Sequence, residues 1–142
     1  MKTSILVITA ALFITLNAFA QNPKDLPAKV KTSFDQKFPS AQKTKWGKES
    51  AKEWEVEFIM NNKDYSASYS PDGTWLETEY KISENEIPAA VTNTIGKEFP
   101  GYKITVSEIS ETAKSKVYEF DISNGKTKKE IAINADGSLV KK

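Results

Sequence analysis

A motif that returns 61 positions further along constrains this chain more than any other feature of its sequence. Leu26-Pro27-Ala28, Val30, Phe34 and Phe38-Pro39 reappear at that offset as Ile87-Pro88-Ala89, Val91, Ile95 and Phe99-Pro100. After a slip of three residues the match resumes at an offset of 64. Here Trp54-Glu55-Val56-Glu57-Phe58 answers to Tyr118-Glu119-Phe120-Asp121-Ile122, Tyr69 to Ile133, Asp72-Gly73 to Asp136-Gly137 and Leu76 to Val140. Self-similarity of this kind predicts one supersecondary unit built twice.

Each copy opens as a helix. Pro27 and Pro88 suit a first turn, where a missing N–H costs nothing. Val30, Phe34 and Phe38, like Val91, Ile95 and Phe99, recur every four residues and lay one apolar stripe along the helix. Pro39 and Pro100 exclude the preceding Phe from the α region and end it. Period-two alternation then predicts strands near 42–49, 53–60, 64–70 and 74–81, and near 103–110, 116–123, 127–134 and 138–142. Asp72-Gly73, Asn124-Gly125 and Asp136-Gly137 are tight-turn signals, and Ser83 to Glu86 is a short polar joint. The expected fold class is α+β: a helix plus a four-stranded antiparallel meander, twice over, with the helices on one face of the sheet and the opposite face open. The first copy occupies residues 21–82 and the second 83–142.

Residues 1–20 read as a secretory signal peptide. Lys2 gives a positive start, Ile5 to Leu16 an apolar run, and Ala18-Phe19-Ala20 a small-x-small pattern before a cut ahead of Gln21. The run is too short for a spanning helix, and without cysteine no lipid anchor can be attached, so no stable membrane anchor is expected after cleavage. Loss of Lys2 brings the count of 20 basic residues level with the 19 acids. A formally neutral mature chain has no steering field for nucleic acid.

The chain contains no Cys and no His, and every basic residue is lysine. Missing with them are the commonest general base, the best thiol nucleophile, the usual transition-metal ligands and the bidentate phosphate fork. No cofactor or metal is expected, and a catalytic role is not. Exported small domains often use disulfides; this one depends on apolar burial, and the full chain, leader included, carries seven Phe, five Tyr and three Trp.

Strand parity sorts the candidates. Trp54, Val56, Phe58, Tyr65, Ala67 and Tyr69 face the helix, as do Tyr118, Phe120, Ile122, Ile131 and Ile133. Glu55, Glu57, Ser66, Ser68, Glu119, Asp121, Glu130 and Ala132 face the other way. Trp75 falls on the parity opposite to Leu76, Thr78 and Tyr80. That puts it beside Glu55, Glu57 and Glu77 as a binding anchor, unless a bulge turns it inward; Trp46 is ambiguous in the same way. Alternating carboxylates at Glu53, Glu55 and Glu57, and at Glu77 and Glu79, read as a solvated sheet face more readily than as a hydrolase pair. The Asp-Gly pairs read as turns more readily than as calcium loops.

In these pieces the chain resembles the PepSY-like, beta-lactamase-inhibitor-like exported proteins typical of Bacteroidetes. The resemblance rests on the leader, the Leu-Pro…Phe-Pro and Ile-Pro…Phe-Pro helices, the Trp-Glu-Val-Glu-Phe and Tyr-Glu-Phe-Asp strands and the paired Asp-Gly turns. It implies a tandem helix-and-four-strand fold and a periplasmic or secreted location. The family is named after an inhibitor whose sheet face grips an enzyme and after a propeptide module. No motif here copies an inhibitory loop, so fold and compartment are what transfer. The function expected is a non-catalytic binding module holding a protein or peptide on its open sheet face through Trp75, Glu55, Glu57, Glu77, Ser66, Ser68, Glu119 and Asp121. The alternative is a small-molecule or lipid carrier with a cavity lined by Phe34, Phe38, Ile95 and Phe99.

Overall fold

The computed structural model describes residues 23–140. The signal-peptide reading falls on residues outside that range. One compact unit runs to Tyr80 and a second begins at Lys81.

In the first unit, helix α1 (Ala28–Lys37) is followed by strands β1 (Gln42–Ser50), β2 (Glu53–Met60), β3 (Lys63–Tyr69) and β4 (Trp75–Lys81). The helix starts where the sequence predicts, with Pro27 extended and its carbonyl accepting from the N–H groups of Val30 and Lys31. It stops at Phe38, whose φ of −126° and ψ of 64° lie outside the α region, as a residue before proline requires. The strands pair antiparallel in chain order. Asn61 and Asn62, both at positive φ (52° and 60°), join β2 to β3 in the type I′ sense that matches strand twist.

Phe34 is the hub of the core. Its ring centroid lies 5.1 Å from Trp46 and 5.1 Å from Phe58, both edge-on, and 5.5 Å from Phe38. Val30, Trp54, Val56, Ala67 and Tyr69 complete the cluster. The stripe that a carrier would need as cavity wall is therefore packed on aromatic rings. Trp46, ambiguous in sequence, is buried.

The second unit repeats the order with α2 (Ala89–Glu98), β5 (Lys103–Thr112), β6 (Lys116–Ser123) and β7 (Lys128–Ile133), after one 3₁₀ turn at Glu84–Glu86. Ser83 caps that turn, its hydroxyl and backbone N–H both engaging Glu86. Val91, Ile95 and Phe99 join Phe120, Ile122, Ile131 and Ile133 in its core. The predicted eighth strand, 138–142, reaches past the described residues; its described part contributes a single bridge between Ile133 and Leu139. No helix among the described residues is long and apolar enough to cross a membrane.

The Asp-Gly turns close both units in the same way. The N–H of Ser70 donates to the Thr74 carbonyl and that of Gly73 to Ser70, both at 2.9 Å; Asn134 to Ser138 and Gly137 to Asn134 repeat the pattern at the same distance. Asp72 Oδ1 accepts the Thr74 N–H at 3.0 Å, and Asp136 Oδ1 the Ser138 N–H at 2.8 Å. The hydroxyls of Ser70 and Ser138, which donate to Asp72 and Asp136 respectively, and after them these backbone bonds, hold both carboxyls below the usual carboxylate range. Glycine is demanded twice over, by φ of +91° at Gly73 and +86° at Gly137 and by the helix behind each turn. A Cβ at Gly73 would stand 2.8 Å from the Lys29 carbonyl oxygen, and one at Gly137 2.7 Å from that of Ala90.

Gly73→Ala is expected to lower stability by about 1–3 kcal/mol, combining left-handed strain with a backbone clash, as measured by denaturant unfolding. Tyr69 offers a contrast. Its hydroxyl is buried without a hydrogen-bond partner, burial pushes its pKa up, and the second unit carries Ile133 in its place. Tyr69→Phe should leave stability unchanged or raise it by up to about 1 kcal/mol; a loss on the same denaturation curve would show that the hydroxyl is satisfied in solution.

Candidate functional site

Side chains alternate along a strand, so burying one parity against the helix groups the other parity on the reverse side. In the first unit two cross-strand rows result. One runs Lys45, Glu57, Ser66, Glu79 and the next Gly47, Glu55, Ser68, Glu77, one residue each from β1, β2, β3 and β4. Five of the residues singled out in the sequence, Glu55, Glu57, Ser66, Ser68 and Glu77, are thus brought together. Neither core cluster contains a residue of this parity. Glu57 is exposed, while Glu55, Ser66, Ser68, Glu77 and Glu79 are half-buried.

Trp75 is not among them. The expectation that it stands on this side with the glutamates is corrected by the pairing of β3 with β4, where Ser68 meets Glu77 but Tyr69 meets Trp75. Leu76 is the extra residue of a bulge, which resets the parity at the start of β4. Trp75 therefore packs against the first core. Its Nε1 donates to Thr78 Oγ1 at 2.9 Å, and Lys37 Nζ sits 3.7 Å from the ring centroid. Leu76 is left exposed instead.

In the second unit Glu119 lies between Glu108 and Ala132, and Asp121 between Val106 and Glu130. Like charges thus meet directly across strands at Glu108–Glu119 and Asp121–Glu130, an arrangement that costs stability. This side is less bare than expected. Ala132, placed outward from sequence, is 3% exposed, and Ser110 and Val117, which face each other across β5 and β6, are also buried.

The sequence reading placed Glu79 and Glu130 on the sheet face but left them out of the binding residues, and it missed Glu108. For Glu79 the signal was its period-two relation to Glu77. Glu108 could not be placed, because a bulge between Ile104 and Val106 shifts the parity of β5. Among the described residues no three His, Cys, Asp or Glu side chains converge as a metal site requires.

Electrostatics follow from this crowding. Glu55 is pushed up to about 7, first by burial and then by repulsion from Glu49, Glu57 and Glu53. Burial also raises Glu108, with Asp121 adding and Lys81 opposing, and it raises Glu130, with Asp121 and Glu108 adding. An acid whose pKa is higher folded than unfolded binds more protons in the native state between those two values, so stability falls as pH rises across that interval. For Glu55 the interval runs from the ordinary carboxylate range to about 7. Glu55→Gln is expected to flatten the stability profile there and to leave the variant about 1–2 kcal/mol more stable than the parent at pH 8, a figure discounted for solvent screening. Chemical denaturation at pH 4.5, 6 and 8 tests it, and parallel profiles for parent and variant would remove Glu55 from the account.

Comparison with known proteins gives one family. The profile described as "Putative beta-lactamase-inhibitor-like, PepSY-like" matches residues 18–61 and again 52–141. Several solved structures have a similar fold. A DUF2874 family protein from Bacteroides ovatus superposes with a TM-score of 0.75 at 17% identity, covering 84% of this chain and 87% of its own. A periplasmic protein from Bacteroides eggerthii gives 0.73 at 20%, covering 81% and 86%. A BLIP-like protein from Bacteroides fragilis gives 0.71 at 17%, covering 81% and 84%. No curated protein sequence matches the chain.

Proposed function

Because this chain belongs to the PepSY-like, beta-lactamase-inhibitor-like family, we propose that it is a non-catalytic binding module. It holds a protein or peptide on the side of its strands turned away from the helices, and that side is an open face. The chain is periplasmic or secreted, in keeping with the leader read at its start and with the periplasmic relative from Bacteroides eggerthii.

The observation that carries this reading is the grouping of Glu55, Glu57, Ser66, Ser68 and Glu77 in adjacent cross-strand rows outside either core. Carboxylates grouped on neighbouring positions repel one another, and Glu55 is raised by burial and then by Glu49, Glu57 and Glu53. A partner that completes the surface would offset that repulsion. The BLIP-like relative lends the inhibitor-like character of the family to the same reading. Glu119 and Asp121 belong to the corresponding side of the second unit. Trp75 is better assigned to the core than to the surface.

Site-directed photo-crosslinking tests the proposal. A photoreactive residue at Ser66 is expected to yield a discrete adduct in the intact envelope, while one at the exposed Thr32 on α1 yields none. The adduct's partner is identified by mass spectrometry and rebound as purified protein. Folded protein giving no adduct from position 66, or equal adducts from both positions, rejects the open-face reading.

A further inference from the structure

A strand has two edges, and the backbone groups along each need partners. In the first unit β3 is flanked on both sides. β2 pairs along one edge and β4 along the other, where Tyr80 stands opposite Tyr65 and Glu79 opposite Ser66. The two tyrosine rings stack there at 4.9 Å. In the second unit β7 is the counterpart of β3, with Lys129 answering to Tyr65 and Glu130 to Ser66 at the offset of 64. β6 pairs along one of its edges in unbroken register. Along the other edge the described residues supply only the bridge from Leu139 to Ile133 and the bond from the Val140 N–H to the Ala132 carbonyl at 3.0 Å. No described residue pairs there with Lys128, Lys129 or Glu130.

The direction of the Val140 bond fixes the rest. Backbone groups along an antiparallel strand turn alternately to one edge and the other, so with Ala132 turned outward, Glu130 and Lys128 are turned outward too. Their N–H and C=O groups form a short ladder with one rail missing. The side chains mark the same stretch. Lys129 lies on the core side of β7, its Nζ 5.7 Å from the Phe99 ring centroid and 5.2 Å from that of Tyr102. Among the described residues this half-buried ammonium has no ion pair. Glu130 lies on the reverse side, with Asp121 opposite it.

β1 also has a single pairing neighbour among the described residues, but its register breaks twice and Lys43 stands at a φ of 53°. Such irregularities deter the addition of a strand. β7 has neither, and charge restricts its pairing instead. A second copy pairing antiparallel across this edge must set outward residues opposite outward residues. Each register centred on the stretch then puts Lys128, Lys129 or Glu130 opposite itself, like charge on like charge.

We propose that the outward edge of β7 at Lys128–Glu130 accepts an extended strand of a partner protein, which carries an acidic residue opposite Lys129 and a basic residue opposite Glu130. The strand takes the place that β4 has beside β3 in the first unit. Its backbone completes the ladder, its acid reaches the ammonium held over Phe99 and Tyr102, and its base offsets the repulsion between Glu130 and Asp121. This edge belongs to the second unit and owes nothing to the face that bears Ser66.

The experiment uses the full mature chain, labelled with nitrogen-15, and the capped peptide Val-Lys-Glu-Thr-Val-Thr. Antiparallel pairing puts its Lys opposite Glu130 and its Glu opposite Lys129. Amide hydrogen exchange at Lys128 and Glu130 is expected to be fast in the protein alone and to slow by about tenfold or more with millimolar peptide. The amides of Lys129 and Ile131, turned to β6, should be slow throughout. The isomer Val-Glu-Lys-Thr-Val-Thr has the same net charge and should bind about tenfold more weakly, with the preference reversed in K129E/E130K. N-methylation of the first peptide at its Lys and at the Thr after Glu, whose N–H groups face β7, should abolish binding without altering charge. That arm needs no variant of the protein; circular dichroism confirms that K129E/E130K is folded. Slow exchange at Lys128 and Glu130 before peptide is added overturns the proposal, as does slowing that follows protein concentration instead of peptide. Equal binding of the two isomers, binding that survives N-methylation, or no slowing at all overturns it too. None of these readings depends on crosslinking at position 66.

Discussion

Everything in each unit follows from the seating of one apolar helix stripe on one parity of the strands beside it. In the first unit the seat is Phe34, held edge-on by Trp46 and Phe58; in the second, Ile95 stands at the same place among Phe120, Ile122 and Ile131. Once that parity is committed to the helix, the pleat leaves the chain no choice about which residues stand together behind it. The clustering of glutamates there is a geometric by-product of core packing. Their concentration, with serine between them, is a matter of sequence.

Much of this was legible before any coordinates. Proline positions, a four-residue apolar stripe and a Phe-Pro stop are local signals, and α1 and α2 begin and end on them. The strands were legible because alternation persists over enough residues to be counted. What was not legible was the point where alternation breaks. One inserted residue at Leu76 reverses the orientation of Trp75. A bulge between Ile104 and Val106 moves Glu108 onto the side that simple counting denies it. Bulges are set by cross-strand register, which a single strand does not encode. For the same reason the burial of Ala132 was missed, because it depends on the neighbours that pairing supplies.

Comparison of the copies separates what the fold needs from what differs by role. Helix stripes, core strand positions and Asp-Gly turns are shared. The reverse side is where the copies diverge, with Ser66 and Ser68 answered by Glu130 and Ala132. Two units of like order can share a scaffold and still differ in the surface behind it.

The glycine turns have a consequence for how each unit is made. Gly73 lies against the backbone of Lys29, and Gly137 against that of Ala90, so the Asp-Gly turn of each unit meets the start of its own helix. Such a contact forms only after the three strands between them are present, and the loop it closes spans most of the unit. During synthesis either helix would emerge long before the turn that clasps it. Until that turn arrives, its oily stripe has only half-made hairpins to lie against.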